Sequence, residues 1–331
     1  MFKRNSLALV VILGFALGSI LAGCGGSAGL RSAETTTAGR NIDEAVKIDL
    51  GSPVLPVVPG VVTVADSVRA FVPPASLPLY EKQAAHPLST EAMQQLADRL
   101  GLSDVVFASR GFHNATYGVE FPGGDEPTCF TLTMREPNKE YTILIEQGRG
   151  DEIPPLPSDE EAEHMADEQL EKVGLNEGLT GISVSIQDAI VTGVGSNELT
   201  YNLSKSVAYQ STLDGFPLLG PGAKIYVTIG PRGEVVRMAH WVLPSVKGQD
   251  ISLRHVSAAL DDIAAGRGLP PGRITPETAT EIAVTAVSLA YWAEPLPMHE
   301  EYYKPVYVFT VVDKEGGSGE WIVPAFDAAA E

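Results

Sequence analysis

The residues able to do chemistry in this 331-residue chain are 6 histidines, 2 cysteines and 42 acids. The histidines are His86, His113, His164, His240, His255 and His299, and no two stand at zinc-ligand spacing beside a supporting Cys or Glu. Glu161-Ala162-Glu163-His164 spells E-x-x-H, the helical motif of di-iron carboxylate bundles. Such centres need a second copy and two further glutamates from long helices. Only one copy is present, so it reads as a solvated acidic helix face. No G-x-S-x-G elbow, S-x-x-K pair, H-E-x-x-H or Walker loop occurs. Gly148-Arg149-Gly150 and Gly193-Val194-Gly195 lack the rest of any phosphate-binding pattern and read as turns. Neither catalytic residues nor a cofactor or metal are expected.

Cys24 carries the clearest chemical signal. Lys3 and Arg4 precede an uncharged apolar run, Leu7 to Leu17, too short for a comfortable membrane span. The run closes at Leu21-Ala22-Gly23-Cys24, which resembles the lipobox of bacterial lipoproteins. That resemblance implies cleavage after Gly23 and acylation of Cys24, with palmitate among the added chains. The mature protein would then be held on the cell membrane by lipid and exposed outside the cytoplasm. An ordinary secretory signal containing Cys24 by accident would export the body too. An uncleaved anchor is the other alternative, but Gly18, Gly23, Gly25 and Gly26 make a poor helix.

With Cys24 lipidated, Cys129 is left without a disulfide partner. In Cys129-Phe130-Thr131-Leu132-Thr133-Met134, the residues Phe130, Leu132 and Met134 share one strand face and Cys129 lies on the other. With no histidine nearby, it is expected to be packed rather than reactive. Acids outnumber bases 42 to 23, a net charge of −19 that becomes −21 when Lys3 and Arg4 leave with the signal. Such a body is soluble and disfavours nucleic acid and anionic lipid surfaces.

These residues need elements to hold them. Residues 1–23 read as signal peptide and 24–52 as a flexible tether. Residues 53–87 form a segment with seven prolines, whose Val-rich pieces want burial against a domain. Three units of helix followed by strands then cover 88–156, 157–250 and 251–331. The first helix spans about Thr90 to Leu100 and stops at Gly101. The second opens with the capping box Ser158-Asp159-Glu160-Glu161 and ends at Gly174; the third runs from near Ser252 to Gly266. Phe130–Met134 and Tyr141–Ile145 read as a hairpin around Glu136–Glu140. Ile225–Ile229 and Val236–Val242 flank a type I turn, Gly230-Pro231-Arg232-Gly233. A last pair, Val306–Val311 and Trp321–Val323, flanks the loop at Gly316–Gly319. The expected class is α+β, with short helices packed on antiparallel sheets.

Asp214-Gly215-Phe216-Pro217-Leu218-Leu219-Gly220-Pro221-Gly222, then Lys224-Ile225-Tyr226-Val227 and Gly233-Glu234-Val235, resembles PepSY-type modules and related YycI-like extracytoplasmic regulators. Leu289-Ala290-Tyr291 and Pro305-Val306-Tyr307-Val308-Phe309 resemble the final strands of the same group. The likeness covers roughly 157–327, with an echo in 88–150. It implies repeated PepSY-like units that bind or regulate an envelope protein, such as a sensor's outer domain or a secreted peptidase, by edge-strand or groove contact. A small-molecule or divalent-cation-binding lipoprotein accompanying a transporter is the alternative, and a hydrolase the third reading.

Two features could contact a partner. Residues 120–177 hold 16 acids against 4 bases, including Glu160 and Glu161 at the start of the second helix. Eight of the 23 aromatics fall within Tyr291–Phe326; of these, Tyr302 and Tyr303 break the strand alternation and are expected at the surface.

Overall fold

The computed structural model describes residues 57–83, 89–108, 110–121, 129–134, 136–192, 199–272, 274–275, 277–295 and 300–327. The first elements are β1 (Val61–Val64), α1 (Asp66–Arg69), β2 (Ser76–Lys82) and α2 (Thr90–Leu100). Next come the short strands β3 (Val106–Ala108), β4 (Gly111–His113), β5 (Tyr117–Glu120) and β6 (Phe130–Met134). The helices α3 (Glu136–Glu146) and α4 (Asp159–Val173) lead into β7 (Leu179–Thr192), β8 (Leu199–Leu213) and β9 (Phe216–Leu219). Then β10 (Ile225–Ile229), β11 (Val235–His240), β12 (Ser245–Ser252), α5 (Val256–Ala264), β13 (Glu281–Trp292), β14 (Tyr302–Asp313) and β15 (Ser318–Pro324) complete the chain.

The fifteen strands of the described residues belong to one hydrogen-bonded sheet, in the order β12-β2-β14-β13-β9-β8-β10-β11-β6-β5-β4-β3. Off this path, β1 pairs with β13, β15 with β14 and β7 with β8. The sheet is mixed: Val61–Val64 run parallel to Glu281–Val284, and Leu218–Leu219 parallel to Tyr291–Trp292. This overturns the α+β expectation of repeated PepSY-like units of short helices on antiparallel sheets. Strand makes up 45% against 22% helix, so the fold is sheet-dominated. Strand pairing links distant parts of the chain: β6 pairs with β11, and β2 with β12 and β14. The Pro-rich segment supplies β1 and β2 themselves, since apolar pieces such as Leu77 and Leu79 are buried there.

The helices at Thr90–Leu100 and Asp159–Val173 follow their sequence signals. Ser89 Oγ caps α2, and Gly101 closes it at φ 70°. Around Ser158 both halves of a capping box form, and Gly174 ends α4 at φ 72°. The third helix starts later than expected, at Val256, because Ser252 is the last residue of β12. The expected hairpin strand Tyr141–Ile145 is instead helical, within α3. There Tyr141 and Ile145, one helical turn apart, pack with Ile190 and Leu203. Residue spacing at 141, 143 and 145 fits a strand equally well, and the tertiary contact decides.

Two large cores form. One gathers α2 and α4 over β4–β6, β8, β10 and β11 through Leu96, Phe112, Phe130, Leu170, Val227 and Met238. The other gathers α1 and α5 over β13–β15 through Val68, Ile263, Ile282, Phe309 and Trp321. A smaller aromatic cluster of Tyr80, Tyr291 and Tyr303 lies between them, with Leu218 and Ala293. No described helix is long and apolar enough to cross a membrane.

Candidate functional site

The cluster of Tyr80, Tyr291 and Tyr303 adjoins buried charged residues. Lys82 ends β2, and its N–H donates to the Glu301 carbonyl at 2.7 Å. At the close of β13, Ala293 N–H donates to Leu219 O, and Gly222 N–H donates to Ala293 O. This approach requires glycine: a Cβ on Gly222 would lie 2.0 Å from the Glu294 carbonyl oxygen. The side chains so assembled are Lys82, Glu294, Glu300 and Lys304. Glu294 is 3% exposed and Lys304 2% exposed, and Lys304 Nζ meets Glu300 Oε2 at 2.6 Å. Lys82 Nζ sits 4.9 Å from the centroid of the Tyr303 ring.

Burial sets the titration of Glu294 and Lys82. Desolvation pushes the Glu294 carboxyl up to about 7. The neighbouring Glu300 adds to the rise, and Trp292, Lys304 and Lys82 oppose it. Desolvation likewise brings the Lys82 ammonium down to about 8; Lys304 adds to the fall, and Glu300 and Glu294 counter it. Among the described residues neither Glu294 Oε1 nor Trp292 Nε1, both buried, has an aligned hydrogen-bond partner. Burial thus moves a carboxyl and an amine of the cluster toward neutrality from opposite sides. Cys129 acts electrostatically on Lys82 and Tyr303, but its thiol is fully buried, as its sequence context led us to expect. Sequence reasoning missed these four charges. Their signal was a lone charge inside an apolar run, as in Tyr291-Trp292-Ala293-Glu294 and Tyr303-Lys304-Pro305-Val306.

The proposed contact residues fare differently. Tyr303 is 1% exposed, and its hydroxyl donates to Leu243 O and accepts from Leu243 N–H. The expectation that it stands at the surface is corrected: β14 turns it into the sheet junction, where its pairing with Tyr80 fixes the register. Tyr302, one residue earlier and on the opposite face, is half-buried beside Leu79 and Phe326. Glu160 and Glu161 are exposed on the first turn of α4, and Glu161 accepts from the Ser158 N–H at 2.8 Å. Glu161 is therefore a capping residue. His164, the histidine of E-x-x-H, is exposed and stands 3.6 Å from Glu168. Among the described residues no three His, Cys, Asp or Glu side chains converge on a cation site. Cys24 and Gly23 lie outside the described residues.

A second surface lies along β7. Among the described residues this fourteen-residue strand pairs only with β8, and none of them pairs with its other edge. Bulges interrupt its register at Gly181/Ser183, Ile186/Asp188 and Asp188/Ala189, so Ser183–Ile186 pair without a break with Lys205–Ala208. The strand has one charge, Asp188, which accepts from Ser204 Oγ at 2.7 Å. It has neither lysine nor proline, two residues that commonly blunt a strand edge. Helix α4 lies over this part of the sheet: Asp159 meets Lys205 Nζ at 2.6 Å, and Asp167 accepts from Tyr209 Oη at 2.8 Å. Glu163 overhangs β7, its Oε1 2.7 Å from where a Gly181 Cβ would stand.

No protein-family model and no curated protein matches this chain. Among solved structures, it is similar to an uncharacterized protein from Eubacterium rectale, at 11% identity and a TM-score of 0.38. That alignment covers 77% of this chain and 85% of the other. A likeness at that level carries no argument for fold or function.

Proposed function

We propose that this protein is a membrane-anchored extracytoplasmic lipoprotein that binds another envelope protein and performs no chemistry of its own. Its partner would be a sensor's outer domain or a secreted peptidase. The anchoring part of the reading rests on Leu21-Ala22-Gly23-Cys24 and on the apolar run before it. The binding part rests on one observation, the open edge of β7. Unpaired N–H and C=O groups along such an edge accept an added strand from another polypeptide.

The test joins both parts. A photo-reactive residue at Ser183 is introduced into the full chain in its native host, and a second chain also carries Cys24→Ser. The first should incorporate a palmitate analogue, fractionate with membranes and give one discrete crosslinked envelope protein. The second should lose the label and leave the membrane fraction. Recovery of an unprocessed chain from the cytosol, or irradiation that yields no adduct, sinks the proposal.

A second reading, a small-molecule carrier, draws on Glu294 Oε1 and Trp292 Nε1, a buried acceptor and donor that interact but form no aligned hydrogen bond among the described residues. A small polar molecule presenting both functions would satisfy them. Quenching or enhancement of indole fluorescence that vanishes in Trp292→Phe would support this reading; a spectrum indifferent to every polar metabolite tried would dispose of it.

A further inference from the structure

The open edge of β7 and the acidic flank of α4 together restrict what could dock there. Helical spacing of 100° per residue puts Asp159, Glu163 and Asp167 on one side of α4, and Glu160 and Glu171 next to them. Three contacts orient that side. Asp159 reaches Lys205 and Asp167 reaches Tyr209, both on β8, while Glu163 lies over Gly181 of β7. The basic residue of the helix, Lys172, belongs to the other side. Lys205, the one base on β8, is already held by Asp159 and the Pro157 carbonyl. A chain added at Ser183–Ile186 would therefore run beside several carboxylates, with no free cation from β7, β8 or this side of α4 to offset them.

We propose that the β7 edge and the acidic flank of α4 form one docking surface for an extended, basic polypeptide segment. The inference rests on the reading of this protein as a polypeptide binder and names the chemistry of the partner. Backbone hydrogen bonds to Ser183–Ile186 supply the affinity, and lysines or arginines facing Glu160, Glu163 and Glu171 supply the selection. A second copy of this chain is disfavoured as occupant, because self-pairing would bring two acidic flanks and two bodies of charge −19 or beyond together. A nucleic acid is excluded by the same sign of charge.

The experiment uses the detergent-solubilised full chain and fluorescence anisotropy. The probe is a labelled peptide of about twelve residues that alternates Lys with Val or Thr. Binding is expected, weakening about tenfold or more as salt rises from about 0.05 to about 0.5 M. Methylating alternate backbone nitrogens of the peptide should abolish it. The triple change Glu160→Gln, Glu163→Gln and Glu171→Gln should weaken binding about tenfold. Ser185→Lys, which places a charge on the exposed edge, should do the same, and neither variant should shift the melting temperature. Equal binding of a peptide with Glu in place of Lys overturns the proposal, as does undiminished binding of the methylated peptide. Concentration-dependent dimers abolished by Ser185→Lys would give the edge to a second copy and overturn it too. An envelope protein crosslinked in cells at a surface remote from β7 would leave the binder reading standing and remove this one. Peptide binding as described without any cellular partner would do the reverse.

Discussion

Glu294 Oε1 and the Trp292 indole N–H, two residues apart at the end of β13, are both buried, and among the described residues neither forms an aligned hydrogen bond. The indole is near enough to oppose the rise of the Glu294 pKa, yet burial prevails and the carboxyl titrates near 7. A polar pair in this condition costs stability wherever the carboxyl must be charged. Around it Lys82 and Lys304 compensate in part, while Glu300 adds to the cost of the charged form.

The sign of that sensitivity follows from linkage. Glu294 holds its proton to about pH 7 when folded and to its ordinary value of 4.5 when unfolded. Between those values the folded state binds more protons, so stability falls as pH rises through the window. Lys82 works the other way: between about pH 8 and 10.5 the unfolded chain binds the extra proton, and stability rises with pH. Urea midpoints across pH should fall from 4.5 to 7 and recover above 8. Glu294→Gln should flatten the first limb, and an unchanged first limb would refute the assignment.

Tyr303 is expected to behave as a core residue. Tyr303→Phe removes the acceptor of the Leu243 N–H and should cost about 1–2 kcal/mol. Tyr303→Ala, which empties a fully buried site, should cost about 3–5 kcal/mol. Chemical denaturation measures both, and a loss under about 1 kcal/mol for the alanine variant would restore the surface role.

Gly222 is set against the Glu294 carbonyl so closely that a methyl group has no room. Gly222→Ala should destabilise by about 1–3 kcal/mol or shift the end of β13, whereas Gly272→Ala, with open space around it, should do neither. Thermal melts of the two variants side by side decide the matter.

Ser158 caps α4 by accepting from the Glu161 N–H at 3.2 Å. Ser158→Ala should lower stability by about 1 kcal/mol, while Ser158→Asp should retain most of it. Equal stability of the alanine variant and the parent would show the cap to be idle.

Local signals were legible where one short stretch of chain contains both the cause and the effect. Ser89 and Ser158 start helices and Gly101 and Gly174 end them, because caps act within four residues. The turn Gly230-Pro231-Arg232-Gly233 closes with Gly233 N–H bonded to Gly230 O, as Pro at the second position and Gly at the last direct. Tyr141–Ile145 was misread because its spacing serves a strand and a helix alike, and packing on Ile190 and Leu203 made the choice. The long strands β7 and β8 were missed, since their Ser, Gln, Lys and Asn dilute the alternation on which a sequence reading depends.

From its own letters the chain determined a strongly acidic composition, the capped helices over Thr90–Leu100 and Asp159–Val173, and the hairpins that join β10 to β11 and β14 to β15. Each of these follows from residues a few positions apart, whose interactions exist before any fold does. Only the tertiary structure decided that the strands join one mixed sheet, that β1 lies parallel to a strand some 220 residues later, and that Lys82, Glu294, Glu300 and Lys304 share one interior. Such pairings depend on which strand edges remain unpaired and which surfaces must leave water together. Those are properties of the assembled sheet, and no local stretch of sequence contains them.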